Sequence, residues 1–323
     1  MPNTVVIYRS QYTAGPSTQD LNTFFTIHGY QPRFDDFTDP ARLSQELRDP
    51  CPLLVLPGGG ATVMGRELQR LFPGVLQQFN NSCHVLGVCA GAYVAADEME
   101  IHCTSYESRS ECDTAVEPVT TPLGKVSFSL GLLPGVSASG NYCPNTSILS
   151  DYAAQQLPGQ NEHGFTLERF DYHPYAVGLQ TDTNALITSL YVGGCQFEIN
   201  GDHAATIRVH ATYADQPPAH YSPHFFSNAR FIQPNTPAIV SGPASYNSGM
   251  NVLLSGPHLF EAALIGDDSK MLGYFSHSQQ QQRSLGLSEN SLTTIKDSSE
   301  AAATFASTLI EDTFGKPKPR GHS

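Results

Sequence analysis

The chain has 323 residues, 40% of them hydrophobic, enough for one large core or two average ones. Only 15% of residues are charged, yet the formal net charge is −13, which repels phosphate backbones and excludes nucleic acid as the expected partner. There is no run of 18 apolar residues and no basic-then-apolar leader, so the expectation is a cytoplasmic protein without a membrane partner.

The first 100 residues alternate strand and helix signals. Val5 to Tyr8 is a short apolar run suited to a strand buried on both faces. Ser17 followed by Asp20 gives an N-cap signal; Leu21, Phe24, Phe25 and His28 keep helical spacing, and Gly29 ends the helix. A second apolar run, Leu53 to Leu56, stops at PGGG, residues 57–60. Leu68, Leu71, Phe72, Val75, Leu76 and Phe79 then recur at helical spacing, with Pro73-Gly74 expected to kink or restart that helix. Val85 to Val88 leads into Cys89 and the helix-compatible, alanine-rich AGAYVAADEM. The order βαβαβα predicts an α/β fold, a doubly wound and mostly parallel sheet with helices on both faces.

Residues 103–165 are rich in Ser, Thr, Pro and Gly and read as a loop-rich insertion. Strand-like runs return at ALITSLYV, CQFEI, ATIRVHATY, AIV and NVLLS, closely spaced as in an antiparallel extension. The polar segment 276–291 reads as a linker. Beyond it Asp297 and Glu300 form a capping box, Ala302, Phe305, Ala306 and Leu309 share one face, and Gly315 with Pro317 stops the helix before the basic tail KPKPR. The domain reading is therefore 1–275, a linker at 276–291, and a C-terminal helix and tail at 292–323.

Seven cysteines (51, 83, 89, 103, 112, 143 and 195), odd in number and without a CxxC pair, read as reduced thiols. Cys89 stands apart. Gly87-Val88-Cys89-Ala90-Gly91 has the form of a nucleophile elbow, a sharp strand-to-helix turn whose glycines relieve crowding. The thiol would stand at the positive end of the following helix, which favours a thiolate. The Ala90 N–H would face a developing oxyanion, and the glycines of PGGG (Gly58, Gly59, Gly60) would supply the second donor. Among twelve histidines His258 follows the run Asn251 to Ser255 and the turn Gly256-Pro257, at the carboxyl edge where open α/β sheets bind ligands. Glu261 is close enough in sequence to orient its imidazole.

LLVLPGGG, HVLGVCAGAY and NVLLSGPH together resemble the class I glutamine amidotransferase-like superfamily, whose fold is flavodoxin-like. Within it the nearest resemblance is to the biotin-protein ligase N-terminal domain family, which shares a small-residue loop after the first strand, an LPGG strand end, a GxCAGxY elbow and a late SGPH. LYVGGCQFE (190–198) resembles a further segment of that family. The resemblance spans 4–262 in pieces and implies Cys89 as nucleophile, Gly59 and Gly60 with Ala90 at the oxyanion site, and His258 as base. The superfamily pattern places an acid two residues after the histidine, where this chain has Phe260; Glu261 lies one further on. The residues after 262, a linker and a helix, are not expected to form a biotin ligase catalytic domain.

The expected function is thus a cysteine-dependent hydrolase or amidotransferase-like enzyme acting on a small-molecule or peptide amide, using no cofactor or metal. The alternative is a catalytically silent binding or regulatory module, and a partner protein or homo-oligomer is compatible with either. His102, Cys103 and Cys112 with Glu107 and Glu111 are loosely spaced for a metal site. Asp171 and His173 are polar residues that could line a pocket from the insertion.

Overall fold

The computed structural model of the protein describes residues 2–47, 49–101, 128–140, 175–191, 194–214, 233–264 and 289–316. The chain opens with β1 (Thr4–Tyr8), in which Val5 and Ile7 enter one core while Val6 and Tyr8 enter another on the opposite sheet face. Helix α1 (Gly15–Ile27) begins two residues before Ser17, with Ala14 at its N-cap and Pro16 in its first turn. Ser17 is therefore no cap; its hydroxyl is used elsewhere, as described below. Next come β2 (Gln31–Asp35) and α2 (Pro40–Glu46), the latter capped by the Asp39 carboxylate, which accepts from the Arg42 N–H at 3.0 Å. Strand β2 escapes the apolar-run signal because it lies at the sheet edge, half-exposed, where Pro32 is tolerated.

Strand β3 (Leu53–Leu56) is wholly buried and leads into α3 (Ala61–Gln78), which runs unbroken through Pro73. Pro73 lies on the exposed face, while Leu68, Phe72 and Val75 hold both sides of the proline in one core. After β4 (His84–Val88) the alanine-rich stretch divides. Helix α4 (Ala90–Ala95) ends early, and β5 (Ala96–Ile101) continues as a strand. Helix propensity there yields to pairing with β6 (Leu133–Gly140), a strand inside the segment expected to be loop.

Four strands follow: β7 (Tyr175–Thr181), β8 (Leu186–Tyr191), β9 (Gln196–Ile199) and β10 (Arg208–Tyr213). Then come β11 (Pro237–Ala244), β12 (Asn247–Ser255), the short α5 (Leu259–Ala262) and the long α6 (Glu289–Phe314). Helix α6 starts inside the segment read as linker, so Asp297 and Glu300 lie within it and form no capping box; Gly315, at φ 86°, ends it as expected. The main sheet has the order β2-β1-β3-β4-β12-β11-β10-β7-β8. Its first five strands are parallel and the rest antiparallel, so the fold is α/β with the antiparallel part as large a share of the pairings as the parallel one. Helices α2, α3 and α4, with the small sheet β5-β6-β9, cover one face; α1, α5 and α6 cover the other.

His210 on β10 is buried, with Nε2 2.7 Å from the Ser241 hydroxyl. Burial, with Arg208 nearby, pushes its imidazole down from 6.5 to about 4. The folded state therefore stays unprotonated there while the unfolded chain takes up a proton. This stability is complete above pH 6.5 and is lost as pH falls toward about 4, amounting to ~3 kcal/mol. Urea midpoints measured between pH 7 and 4 should fall less steeply in His210→Asn than in the wild type.

Candidate active site

Three neighbouring parallel strands, β3, β4 and β12, end at the same edge of the sheet, and each supplies one piece of the site. Cys89 follows β4 directly, at φ 52° and ψ −109°, a conformation that non-glycine residues rarely adopt. Backbone bonds to both neighbours hold it there. The Cys89 N–H donates to the Ser255 carbonyl at 2.8 Å, and the Gly91 N–H donates to the Pro57 carbonyl at 3.0 Å. The turn passes so near β3 that a Cβ on Gly91 would lie 1.9 Å from the Leu56 carbonyl oxygen, and one on Gly87 2.6 Å from the Gly91 carbonyl oxygen. The two glycines are a steric requirement of the elbow.

His258 caps the N-terminus of α5 and is fully buried; its N–H donates to the Leu190 carbonyl on β8 at 2.7 Å. Its Nδ1 lies 2.8 Å from Glu261 Oε1, both side chains being shut off from solvent. A separation of three residues puts two side chains on one face of a helical turn, and the chain after His258 is such a turn. Phe260, in the place where the superfamily pattern has its acid, packs instead into the core against Phe24, ring centroids 5.2 Å apart.

The Cys89 sulfur also acts on the imidazole, while Glu261 holds its Nδ1. Burial alone would lower the pKa of His258. The Glu261 carboxylate, with its hydrogen bond to the ring, and the Cys89 sulfur outweigh it, and the imidazole is raised from 6.5 to about 10. An imidazolium held between a carboxylate and a sulfur is the charge arrangement that supports a thiolate.

The glycine strand end divides its amides between two tasks. The Gly58 N–H donates to Ser17 Oγ at 3.1 Å and the Gly60 N–H to the Tyr12 carbonyl at 2.9 Å, so both are engaged within the fold. These two expected oxyanion donors are braces instead. Thr13 and Gly59 form an isolated bridge closed by the bonds of their neighbours, which turns the Gly59 N–H away from Thr13. Ala90 is the first residue of α4, where an N–H has no partner in the helix's own ladder. Gly59 and Ala90 remain the candidate pair. Gly58 has a steric role as well, since a Cβ there would lie 2.8 Å from His258 Cε1.

Ser17 is the site residue that sequence reasoning missed. It is fully buried, and its hydroxyl donates to Glu261 Oε1 at 2.8 Å while accepting from Gly58. Its position near a helix start suggested a cap, and nothing local points across 244 residues to an acid.

Behind the elbow lies the segment around Gly194 and Cys195. The Tyr191 and Tyr93 hydroxyls donate to the Gly194 carbonyl and the Tyr213 hydroxyl to that of Cys195, at 2.9, 3.3 and 2.7 Å. Burial drives the Tyr93 and Tyr213 phenols and the Cys195 thiol well up, so these three bring no charge to the site. His102, Cys103, Glu107, Glu111, Cys112, Asp171 and His173 lie outside the described residues. Among the described residues no helix is long and apolar enough to cross a membrane.

No protein-family model matches the chain, and no curated protein does. Twelve chains of solved structures match it. One is the crystal structure of a glutamine amidotransferase, 15% identical, with 80% of this chain and 92% of that chain covered and a TM-score of 0.43. So loose a superposition leaves function to be argued from the residues of the site.

Proposed function

We propose that the protein is a cysteine-dependent hydrolase or amide-transferring enzyme acting on a small-molecule or peptide amide. The observation that carries the reading is the buried Glu261–His258 hydrogen bond at 2.8 Å, beside a cysteine held in a strained elbow. The Cys89 thiolate attacks the carbonyl carbon, and the carbonyl π electrons move to oxygen, which accepts from the N–H groups of Gly59 and Ala90. When the tetrahedral adduct collapses, the C–N bond breaks and the His258 imidazolium gives its proton to the departing amine. His258, now neutral, takes a proton from water or a second amine as that nucleophile opens the thioester and restores the thiolate. Glu261 holds the ring and offsets its charge throughout.

The likeness of LPGG, GxCAGxY and SGPH to the amidotransferase superfamily, and to the biotin-protein ligase N-terminal family within it, supports the same assignment of nucleophile and base. Taken alone, the one-residue displacement of the acid would favour a silent module. With Glu261 reaching His258 from a helical turn, that displacement is no argument for lost catalysis.

Timed iodoacetamide labelling read by mass spectrometry tests the reading. Cys89 should label at least about tenfold faster at pH 7 than Cys51, although it is only 5% exposed and Cys51 is more open. Labelling of Cys89 no faster than that of Cys51 removes the nucleophile.

A further inference from the structure

The hydroxyl of Ser17 lies between two parts of the site that approach from opposite ends of the chain, the glycine strand end after β3 and the acid on α5. We propose that Ser17 is a positioning residue of this site, setting the Glu261 carboxylate with its proton and the Gly58 loop with its lone pair. The proposal rests on the Cys89–His258–Glu261 reading and adds a fourth side chain to it.

A serine hydroxyl has one proton and two acceptor sites, so its neighbours decide where the proton points. Gly58 brings an N–H to Ser17 Oγ at 3.1 Å and can only donate. Glu261 Oε1 lies at 2.8 Å and, as a carboxylate, can only accept. The proton is thereby directed at the acid. Oε1 receives both the Ser17 hydroxyl and the His258 ring N–H, whereas Oε2 is buried without a hydrogen-bond partner among the described residues. Ser17 thus supplies one of the two hydrogen bonds that orient this buried carboxyl among the described residues.

Location points the same way. Pro16 fixes the first turn of α1, and Ser17 comes next in it, facing α5. A Cβ on Gly58 would approach Ser17 Oγ to 3.3 Å and His258 Cε1 to 2.8 Å, so serine, glycine and imidazole form one close-packed group. Few other charges bear on the ring. Glu261 faces it from α5 and Cys89 from β4, while β8 presents the Leu190 carbonyl to the His258 N–H. Asp20, a turn beyond Ser17, is the one acid of α1. Tyr93, Tyr213 and Cys195, around Cys89, are held neutral by burial.

Removing the hydroxyl takes from Glu261 the hydrogen bond that fixes it opposite the ring, so the carboxyl is held less firmly and stabilises the imidazolium less. The test follows the His258 ring by proton–nitrogen NMR through a pH titration of the full chain, in wild type, Ser17→Ala and Ser17→Thr, alongside iodoacetamide labelling at pH 7. Ser17→Ala should lower the His258 midpoint by about one pH unit and slow Cys89 labelling about tenfold. Ser17→Thr, which keeps the hydroxyl, should titrate like the wild type. An unmoved midpoint in Ser17→Ala overturns the proposal, as does a Thr variant that behaves like the Ala variant. Should Ser17→Ala not fold, Ser17→Cys, a weaker donor of similar size, is titrated in its place with the same two outcomes. If wild-type Cys89 labels no faster than Cys51, the enzyme reading falls, while the His258 titrations still decide whether Ser17 sets Glu261.

Discussion

His258→Gln is expected to label with iodoacetamide at Cys89 about 100-fold more slowly than the wild type at pH 7, with Cys51 labelling unchanged, a loss of the size that a positioned acid–base group accounts for. The imidazole is the group that can take the thiol proton, and its charge is supported by Glu261 at 2.8 Å. Stability should fall too, by ~3 kcal/mol, because the buried Glu261 carboxyl loses one of its two partners. The double variant His258→Gln/Glu261→Gln separates the effects. With the carboxyl gone, the urea midpoint should recover part of the way, and labelling should stay slow. A single variant whose Cys89 labels within about threefold of wild type would remove His258 from the chemistry.

Gly91→Ala should cost more than about 4 kcal/mol or prevent folding altogether, the range reserved for severe local conflicts. The added methyl carbon would lie 1.9 Å from the Leu56 carbonyl oxygen and 2.7 Å from Leu56 Cβ. Neither side can yield cheaply. Leu56 ends a strand paired on both sides, and the Gly91 N–H is itself bonded to the Pro57 carbonyl. Gly15→Ala is the control: nothing lies within 4 Å of its Cβ, and it sits in the first turn of α1. Alanine there should be neutral or stabilise by about 0.5 kcal/mol. Equal urea midpoints for Gly91→Ala and wild type would mean that the elbow is not packed against β3 as described.

Both expectations start from residues whose signals are local, and the fold was legible to the same extent. Runs buried on both faces, such as Leu53–Leu56 and the core of β4, are readable because every residue in them must be apolar. Strands β2 and β6 lacked that mark. The first is a half-exposed edge, and the second, PGVSAS in its middle, is held by partners on both sides in the small sheet. Pro73 misled for a related reason: a proline need not end a helix whose turns on both sides are pinned in one core.

At the site, the amino-acid sequence alone determined the elbow and the histidine after β12, since a cysteine between crowding-relieving glycines and a turn ending at His258 are written in a few adjacent residues. The tertiary structure decided the rest. Whether Glu261 meets His258 depended on a helical turn following the histidine, which sets an i,i+3 pair on one face. Which glycine amides stay out of the fold's own bonding depended on tertiary partners: Ser17 takes the Gly58 N–H, the Thr13–Gly59 bridge takes the Gly60 N–H, and the Gly59 N–H is turned away from Thr13. Ser17 joined the site through one hydrogen bond across 244 residues, and no local pattern carries the direction of a bond made at that distance.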